Sequence, residues 1–456
     1  MYVCNITGTD KINQYEELIK VFLRSGEYEI SGSLGDGPGT YSFDGDKDEL
    51  KRSIYRDLRQ YTGKSPKWGI LTGIRPVKMA FELYKKHGSL DKVKNILEEG
   101  YFLHSSKSSL VTEILEYQLK SVGRPENGSL SVYAGIPFCP TRCLYCSFTS
   151  NQKPYEEIER YLEALESEII YASEAAAADG FRTESFYIGG GTPTTLDERQ
   201  LESLLETIND SFDLSSIREF TVEAGRPDTI TRQKLDIMKV YGVDRISINP
   251  QTMNDDTLEL IGRKHTADDV RKAFGMAHEA GIGVINADLI AGLPGEDAED
   301  FRRSLEEILQ LGADNITLHT LAVKRASKLK ETDEEYNYRN EELREEMLAG
   351  AADILSSEGF RPYYLYRQKH TSGNTENTGY CRGDTPSVYN IRIMEEAQSI
   401  LALGAGGISK IYFPEENRLE RVANVSNYEI YIERLEEMKE RKRKGFFGQT
   451  GKDYRR

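Results

Sequence analysis

Between residues 130 and 325 the chain alternates short apolar runs with amphipathic stretches, and that pattern leaves few folds open. The runs are LSVYAGI, ESFYIG, EFTVEA, DRISI, GVINADLI and NITLHTL. Helical patterns near 155–179, 197–211, 229–241, 266–280 and 298–312 lie between them. Strand and helix units that repeat in this way predict a parallel sheet with crossover helices. About six units fit, too few for a closed eight-fold barrel. The fold class predicted is α/β, an open partial (β/α)6 barrel. By analogy with closed barrels its chemistry sits at the C-terminal ends of the strands.

The 456 residues exceed what one core organises, roughly 250–300, so further domains are expected. Residues 1–125 read as a small α+β module. It opens on a β-like MYVCNITG and continues through helical patterns at 15–23, 48–61 and 76–86, with a Gly-rich turn region after the first. In LTGIRPVKMA, Arg75 and Pro76 stand at a helix start. The polar stretch 121–129, SVGRPENGS, is the linker to the barrel at 130–325. Residues 326–456 form a C-terminal α/β extension expected to cover the substrate. It holds a helix near 337–358, a strand RPYYLYRQK, an irregular segment to about 390, a Gly-interrupted strand SILALGAGGISKIYF and a helix near 427–444.

A net charge of −16 argues against a broad nucleic-acid surface, which needs clustered Lys and Arg. No run of about 18 apolar residues reads as a membrane span, and the N-terminus lacks the pattern of a secretory signal. The compartment expected is the cytoplasm, with no membrane partner. Of five cysteines, three fall within eight residues. An odd, clustered set is not a disulfide framework; it reads as metal binding or catalysis.

Those three give the chain its strongest motif. In IPFCPTRCLYCSF, Cys139, Cys143 and Cys146 are spaced C-x3-C-x2-C directly after a predicted strand. Three thiolates on one loop can each bind a separate iron of a [4Fe–4S] cubane, leaving the fourth iron open to a small ligand. A structural zinc site needs four protein ligands, and no fourth Cys or His lies near. A second motif, GGGTPT at Gly189–Thr194, ends the second barrel strand; its glycines let a ligand approach the backbone or simply make a turn. Glu223 in TVEAGRPD ends the third strand, where a carboxylate can bind an ammonium or ribose, or form a surface ion pair.

The cysteine motif, with Tyr145 before its last cysteine, resembles the radical S-adenosylmethionine (SAM) superfamily. YAGIPFCPTRCLYCSF is similar to the oxygen-independent coproporphyrinogen III oxidases (coproporphyrinogen dehydrogenases), over roughly 130–410, and LTGIRPVK to their HemZ-like branch. The resemblance implies a radical SAM barrel, a [4Fe–4S] cluster on Cys139, Cys143 and Cys146, and two SAM molecules. It implies first-SAM contacts at Tyr133, Gly190, Gly191, Thr192 and Glu223. It implies second-SAM contacts at Gln251, Arg263, Asp288 and Ala322, with Tyr145 packing on the ligand where the family has Phe. Arg263 also reads as an ordinary helix end. The family's further cysteine two positions after the motif is Phe148 here.

The implied reaction is oxidative decarboxylation of coproporphyrinogen III to protoporphyrinogen IX in porphyrin and haem biosynthesis. The electron donor expected is a flavodoxin or ferredoxin, and the protein is expected to be a monomer. Alternatives are another radical SAM porphyrin enzyme, such as a haem-opening methyltransferase, a haem-trafficking protein, and a structural cluster protein. Haem-chaperone relatives carry a His-Asn-x-x-Tyr-Trp motif where this chain has Glu376-Asn377-Thr378-Gly379-Tyr380-Cys381, without the His or the Trp. Candidate cations for the substrate carboxylates are Lys324, Arg325, Arg367 and Lys369; the alternative for 363–381 is a strand with one solvated face. Trp68, Cys4 and Cys381 show no role, and His265 and His319 read as structural.

Overall fold

A computed structural model describes residues 1–32, 39–73, 75–146, 150–321, 341–368 and 375–449. Six parallel strands form its centre: β4 (Ser129–Ile136), β5 (Arg182–Gly190), β6 (Glu219–Val222), β7 (Arg245–Ser247), β8 (Val284–Ala291) and β9 (Asn315–Thr320). The strand numbers count from the N-terminal module, whose β1 (Tyr2–Thr7), β2 (Tyr28–Ser31) and β3 (Gly39–Ser42) make a separate parallel sheet in the order β2-β1-β3. Helices Tyr155–Ala178, Glu198–Ser211, Arg232–Val240, Ala267–Glu279 and Ala298–Gln310 form the crossovers. The partial barrel is thus present and open.

Alternation along each strand decides which way the barrel faces. Val132, Ile136, Phe186, Ile188, Phe220 and Val222 share one core with the crossover helices. Their neighbours in sequence are polar and turn to the other face, since successive side chains point to opposite sides of a strand. There Ser185 donates to Ser131 at 2.7 Å, Asn286 to Ser247 at 3.3 Å and Thr317 to Asn286 at 3.2 Å. Two residues further along the same strands come Tyr133, Tyr187, Glu223, Asp288 and His319, so these share the interior face near the strands' C-terminal ends.

The C-terminal region extends the sheet at both edges. At one edge β12 (Ser399–Leu403) adds a seventh parallel strand beside β4, followed by antiparallel β13 (Ile408–Phe413) and β14 (Arg418–Ala423). At the other, β11 (Glu376–Arg382) and β10 (Phe360–Arg367) run antiparallel beyond β9. The irregular segment expected up to 390 therefore holds β11 and a helix, Val388–Glu395. This helix closes the barrel's N-terminal end. Its cap residue Ser387 and the Val388 amide both donate to Glu219, and Tyr389 stacks on Tyr187 at 4.5 Å. The terminal helix Leu435–Gly445 does not simply end in solvent. Lys442 is fully buried on Glu168, which also accepts from Gly404 and Tyr431.

Residues 1–125 contain two cores. One is built from β1 to β3 with helices Asn13–Phe22 and Lys47–Thr62. The other gathers Trp68, Leu97, Val111 and Ile114 around Leu365 of β10, using helices Pro76–His87 and Ser105–Tyr117. A buried polar seam joins this second core to the sheet. Trp68 Nε1 donates to Glu376 at 2.9 Å, Lys107 pairs with the same carboxylate, and Arg367 lies 4.8 Å over the indole ring. No helix of the described residues is long and apolar enough to cross a membrane.

Candidate active site

The cysteine loop leaves β4 and is tied back to the body by its main chain. Cys139 N–H donates to Asn151 O at 3.0 Å, and Leu144 N–H to Ile261 O at 3.0 Å. None of the three is disulfide-bonded, and all are half-buried. The other cysteines belong elsewhere: Cys4 sits in the N-terminal core and Cys381 beside Tyr363. Burial pushes the Cys4 thiol up to about 12 and the Cys381 thiol up to about 11.

The Gly-rich strand end makes room for this loop. A Cβ on Gly191 would meet the Phe138 carbonyl at 2.4 Å and Cys139 Sγ at 2.9 Å. A Cβ on Gly190, at φ +118°, would meet the Ile136 carbonyl at 2.9 Å. Gly191 N–H and Thr192 N–H donate to Ile136 O and Phe138 O at 2.7 and 2.8 Å, and the Thr192 hydroxyl lies 3.6 Å from Cys139 Sγ. Glycines 190 and 191 are therefore required by the chain's own backbone, whatever ligand they meet.

Glu223 stands next to this turn. It accepts from Tyr187 OH at 2.5 Å and from Gly190 N–H at 3.2 Å. Burial first, and the nearby Asp288 charge, hold its carboxyl up at about 7 despite those donors. Burial also raises the Asp288 carboxyl, but His319, Asn286 and Thr317 outweigh it and hold it below the usual range. His319 lies 3.4 Å from Asp288 and 3.1 Å from Tyr366 OH. Tyr133, Tyr187 and Tyr389 stack beneath, Tyr133 at 6.2 Å from each of the others.

Arg263 is not a free helix end. Its guanidinium donates to Tyr145 OH at 3.0 Å, to Asn249 O at 2.8 Å and to Gly225 O at 3.3 Å. Gln251 follows two residues after Asn249. At φ 72°, in the left-handed region that side chains rarely occupy, it bridges to β8: its N–H donates to Asp288 O at 2.9 Å and its carbonyl accepts from Ile290. Tyr145 packs against the apolar cluster of Leu258, Ile261, Ile290, Leu293 and Leu321. Arg263 thus joins Tyr145 of the cysteine loop to the segment Asn249–Gln251, whose main chain pairs with that of Asp288, while the Asp288 carboxylate faces His319 and Asn286. Ala322 and Phe148 lie outside the described residues, as do Lys324, Arg325 and Lys369.

Arg367 is corrected. It is neither on a solvated face nor among interior polar groups. It is buried over Trp68 and donates to the Leu71 carbonyl, and burial pushes its guanidinium down to about 10. The strand is covered on both sides because the N-terminal helices pack on it, which local sequence does not reveal.

Sequence reasoning missed Arg226. It is buried, grips Asp228 with two donors at 2.9 and 3.0 Å, and reaches Thr141 at 2.7 Å and Cys143 Sγ at 3.9 Å. It places a fixed positive charge against the cysteine loop. His265, beside it, is pushed down to about 4 by burial first and then by Arg263 and Arg226, so it stays neutral. Tyr187 and His319 were also missed as site residues, although a period of two from Tyr133-type positions would have put them on the inner face.

The residues fit an iron–sulfur cluster. No three His, Cys, Asp or Glu side chains among the described residues converge on a single ion. In a cubane, however, each thiolate binds its own iron, so three thiols on one loop, a Cβ-free wall at Gly191 and an adjacent guanidinium suit the group.

A model of the radical SAM superfamily matches residues 133–308. The chain is 39% identical over 391 residues to the oxygen-independent coproporphyrinogen-III oxidase-like protein HemZ of Bacillus subtilis (strain 168), covering 84% of this chain and 78% of that protein. It is 40% identical over 195 residues to the heme chaperone HemW of the same organism, covering 42% of this chain and 51% of that one. Among solved structures, coproporphyrinogen III oxidase (HemN) from Escherichia coli, a radical SAM enzyme, shares the fold with a TM-score of 0.53 at 21% identity, over 71% of this chain and 73% of that one. The chain belongs to the radical SAM superfamily, in the HemZ-like branch of the oxygen-independent coproporphyrinogen III oxidase family, and that membership implies a [4Fe–4S] cluster and SAM.

Proposed function

We propose that the protein oxidatively decarboxylates coproporphyrinogen III, converting two propionate side chains to vinyl groups. The observation that carries this reading is Arg263, which ties Tyr145 of the cysteine loop to the segment leading to Gln251 and Asp288. In this reading Cys139, Cys143 and Cys146 hold the cluster. Tyr133, Gly190, Gly191, Thr192 and Glu223 hold one SAM, and Gln251, Arg263, Asp288 and Ala322 a second. A reduced cluster with SAM supplies a carbon radical able to take hydrogen from an unactivated C–H bond.

The chain's own residues supply position and enclosure. Glu223, when ionised, offers a carboxylate to the SAM ammonium. His319 fixes Asp288 in orientation between itself and Asn286. The stacked tyrosines exclude water from below, where water would divert a reactive intermediate. A flavodoxin or ferredoxin is the class of electron donor proposed.

The heme chaperone HemW relative favours haem trafficking as a second reading. Glu376 weighs against it. Standing where haem-chaperone relatives have His, it is buried and committed to Lys107 and Trp68. Anaerobic incubation of the reconstituted protein with SAM, dithionite and coproporphyrinogen III decides between them. The expected product has lost two carboxyl groups by mass. A methylated product, or tight haem binding without SAM cleavage, overturns the reading.

A further inference from the structure

The segment LTGIRPVK takes no part in the chemistry at the cysteine end, yet it builds a second polar site. Arg75 and Pro76 begin the helix Pro76–His87, and Lys78 follows one turn in. Both cations reach Glu396, at 3.1 and 3.2 Å. Two more arrive from the C-terminal strands: Arg421 of β14 at 2.9 Å and Lys410 of β13 at 3.5 Å. One buried carboxylate thus faces four cations in a protein of net charge −16. The nearby acids do not redress the balance. Glu395 is held by Arg124 and Arg392, and Glu82 at the rim pairs with Lys85.

The surplus has visible effects. Burial first, then Arg75, and Arg421 as well, push the Lys410 ammonium down to about 8 although Glu396 opposes them. Arg75 Nε is buried without a hydrogen-bond partner among the described residues. Glu396 itself is the left-handed cap, at φ 51°, that ends the helix Val388–Glu395, and its N–H donates to Arg392 O at 3.2 Å, so the helix end sets where its carboxylate stands. The cleft beside it is walled by Arg75, Lys78 and Arg124, and not by Lys410 or Arg421, and leaves about 20 Å³, room for a water or two. Past Arg124 a neighbouring cavity of about 170 Å³ opens between Gln398 and Tyr412. Glu396 lies three residues before the start of β12, so the cleft lies at the N-terminal end of the parallel strands. The length of β4, roughly 23 Å at about 3.3 Å per residue, separates it from the cysteine loop.

We propose that this cation cluster binds a small molecule bearing two or more phosphate or carboxylate groups, which takes the place of the Glu396 carboxylate as that side chain swings aside, with the cleft and the cavity past Arg124 giving it entry. Four convergent cations with one shared counter-ion are a site for multivalent anions, because each charge-assisted contact a ligand makes replaces a divided one. Position and chemistry keep this site apart from the reacting end, so it stands whether or not the decarboxylation does.

Calorimetric titration of pyrophosphate and of citrate into the full-length protein at low ionic strength tests it. The probe that binds more tightly identifies phosphate or carboxylate as the preferred group. Glu396→Gln removes the competing carboxylate and is expected to tighten binding about tenfold or more, while Lys78→Gln with Arg421→Gln, two solvent-reaching positions, weakens it by a similar factor. If Glu396→Gln does not fold, the Lys78 and Arg421 pair alone decides. No binding of either probe to the wild type at about 10 mM, or an affinity unchanged in the double variant, overturns the proposal.

Discussion

Glu223 carries a conflict between its surroundings and the role proposed for it. Its folded pKa, about 7, lies above the usual value for a glutamate. The folded protein therefore holds this proton more tightly than the unfolded chain. The group's contribution to stability is full below the unfolded pKa and is lost as pH rises through 7. Ligand binding runs the other way, because a cationic ligand needs the ionised form. SAM affinity is expected to fall roughly tenfold from pH 8 to pH 6, and Glu223→Gln to abolish that slope while making the melting temperature less sensitive to pH. Titrations at several pH values check both; an equal slope in the variant removes the assignment. Arg226 invites a second experiment. Its charge beside Cys143 favours a more negative, reduced cluster, so Arg226→Met is expected to lower the cluster's midpoint potential and its iron content. A redox titration followed by electron paramagnetic resonance reads the first, and an iron assay the second. At this scale the sequence was legible where chemistry is local. The cysteines, the glycine run and Glu223 announce themselves by spacing. Arg226 did not, because its meaning depends on Thr141 and Cys143, some 80 positions earlier.

The turn from β5 is the element on which the cysteine loop rests. Gly191→Ala puts a methyl group against the Phe138 carbonyl and Cys139 Sγ, and is expected to cost about 1–3 kcal/mol by overpacking, with loss of cluster. Iron content after anaerobic reconstitution measures it; a fully loaded variant shows that the loop moves freely. Arg367→Gln belongs to a different element pair. It is expected to lower stability by about 1–3 kcal/mol through the lost ring contact and the Leu71 bond. Turnover should stay unchanged at saturating and limiting substrate. A raised Michaelis constant with undisturbed melting would restore Arg367 to the substrate. Elements with strong periodicity were readable: all six central strands and their five crossover helices lie where the pattern puts them. Elements made by pairing were not. β11, ENTGYCR, has little strand propensity and exists because β9 and β10 flank it. Its Gly379 is required by the Tyr364 ring, which a Cβ would meet at 1.9 Å. The helix Val388–Glu395 is short and has no solvated face to give it a period, being wedged under the barrel.

For the whole molecule, the two cores within residues 1–125 differ in how they are attached. The first is largely its own, whereas the second shares Leu365 with the sheet. Deleting residues 1–64 is expected to leave a folded barrel with a single cooperative melt. Deleting residues 1–122 strips the cover from β10, leaves Glu376 and Arg367 without Lys107 and Trp68, and is expected to yield an aggregating chain. Circular dichroism melts and size-exclusion profiles of the two truncations distinguish these outcomes; equal behaviour refutes the division. The overall barrel was visible in the alternation of elements. The seam was not, since Trp68 and Glu376 are 308 positions apart. That seam also confers an optical property. Trp68 is the only tryptophan in the chain, and it is held between a guanidinium and a carboxylate at the junction of the N-terminal helices with the sheet. Light emitted by the indole therefore comes from a single address. Its colour and quenching follow the opening of that junction alone, so an undocking of the N-terminal helices is readable in the native protein without any attached dye.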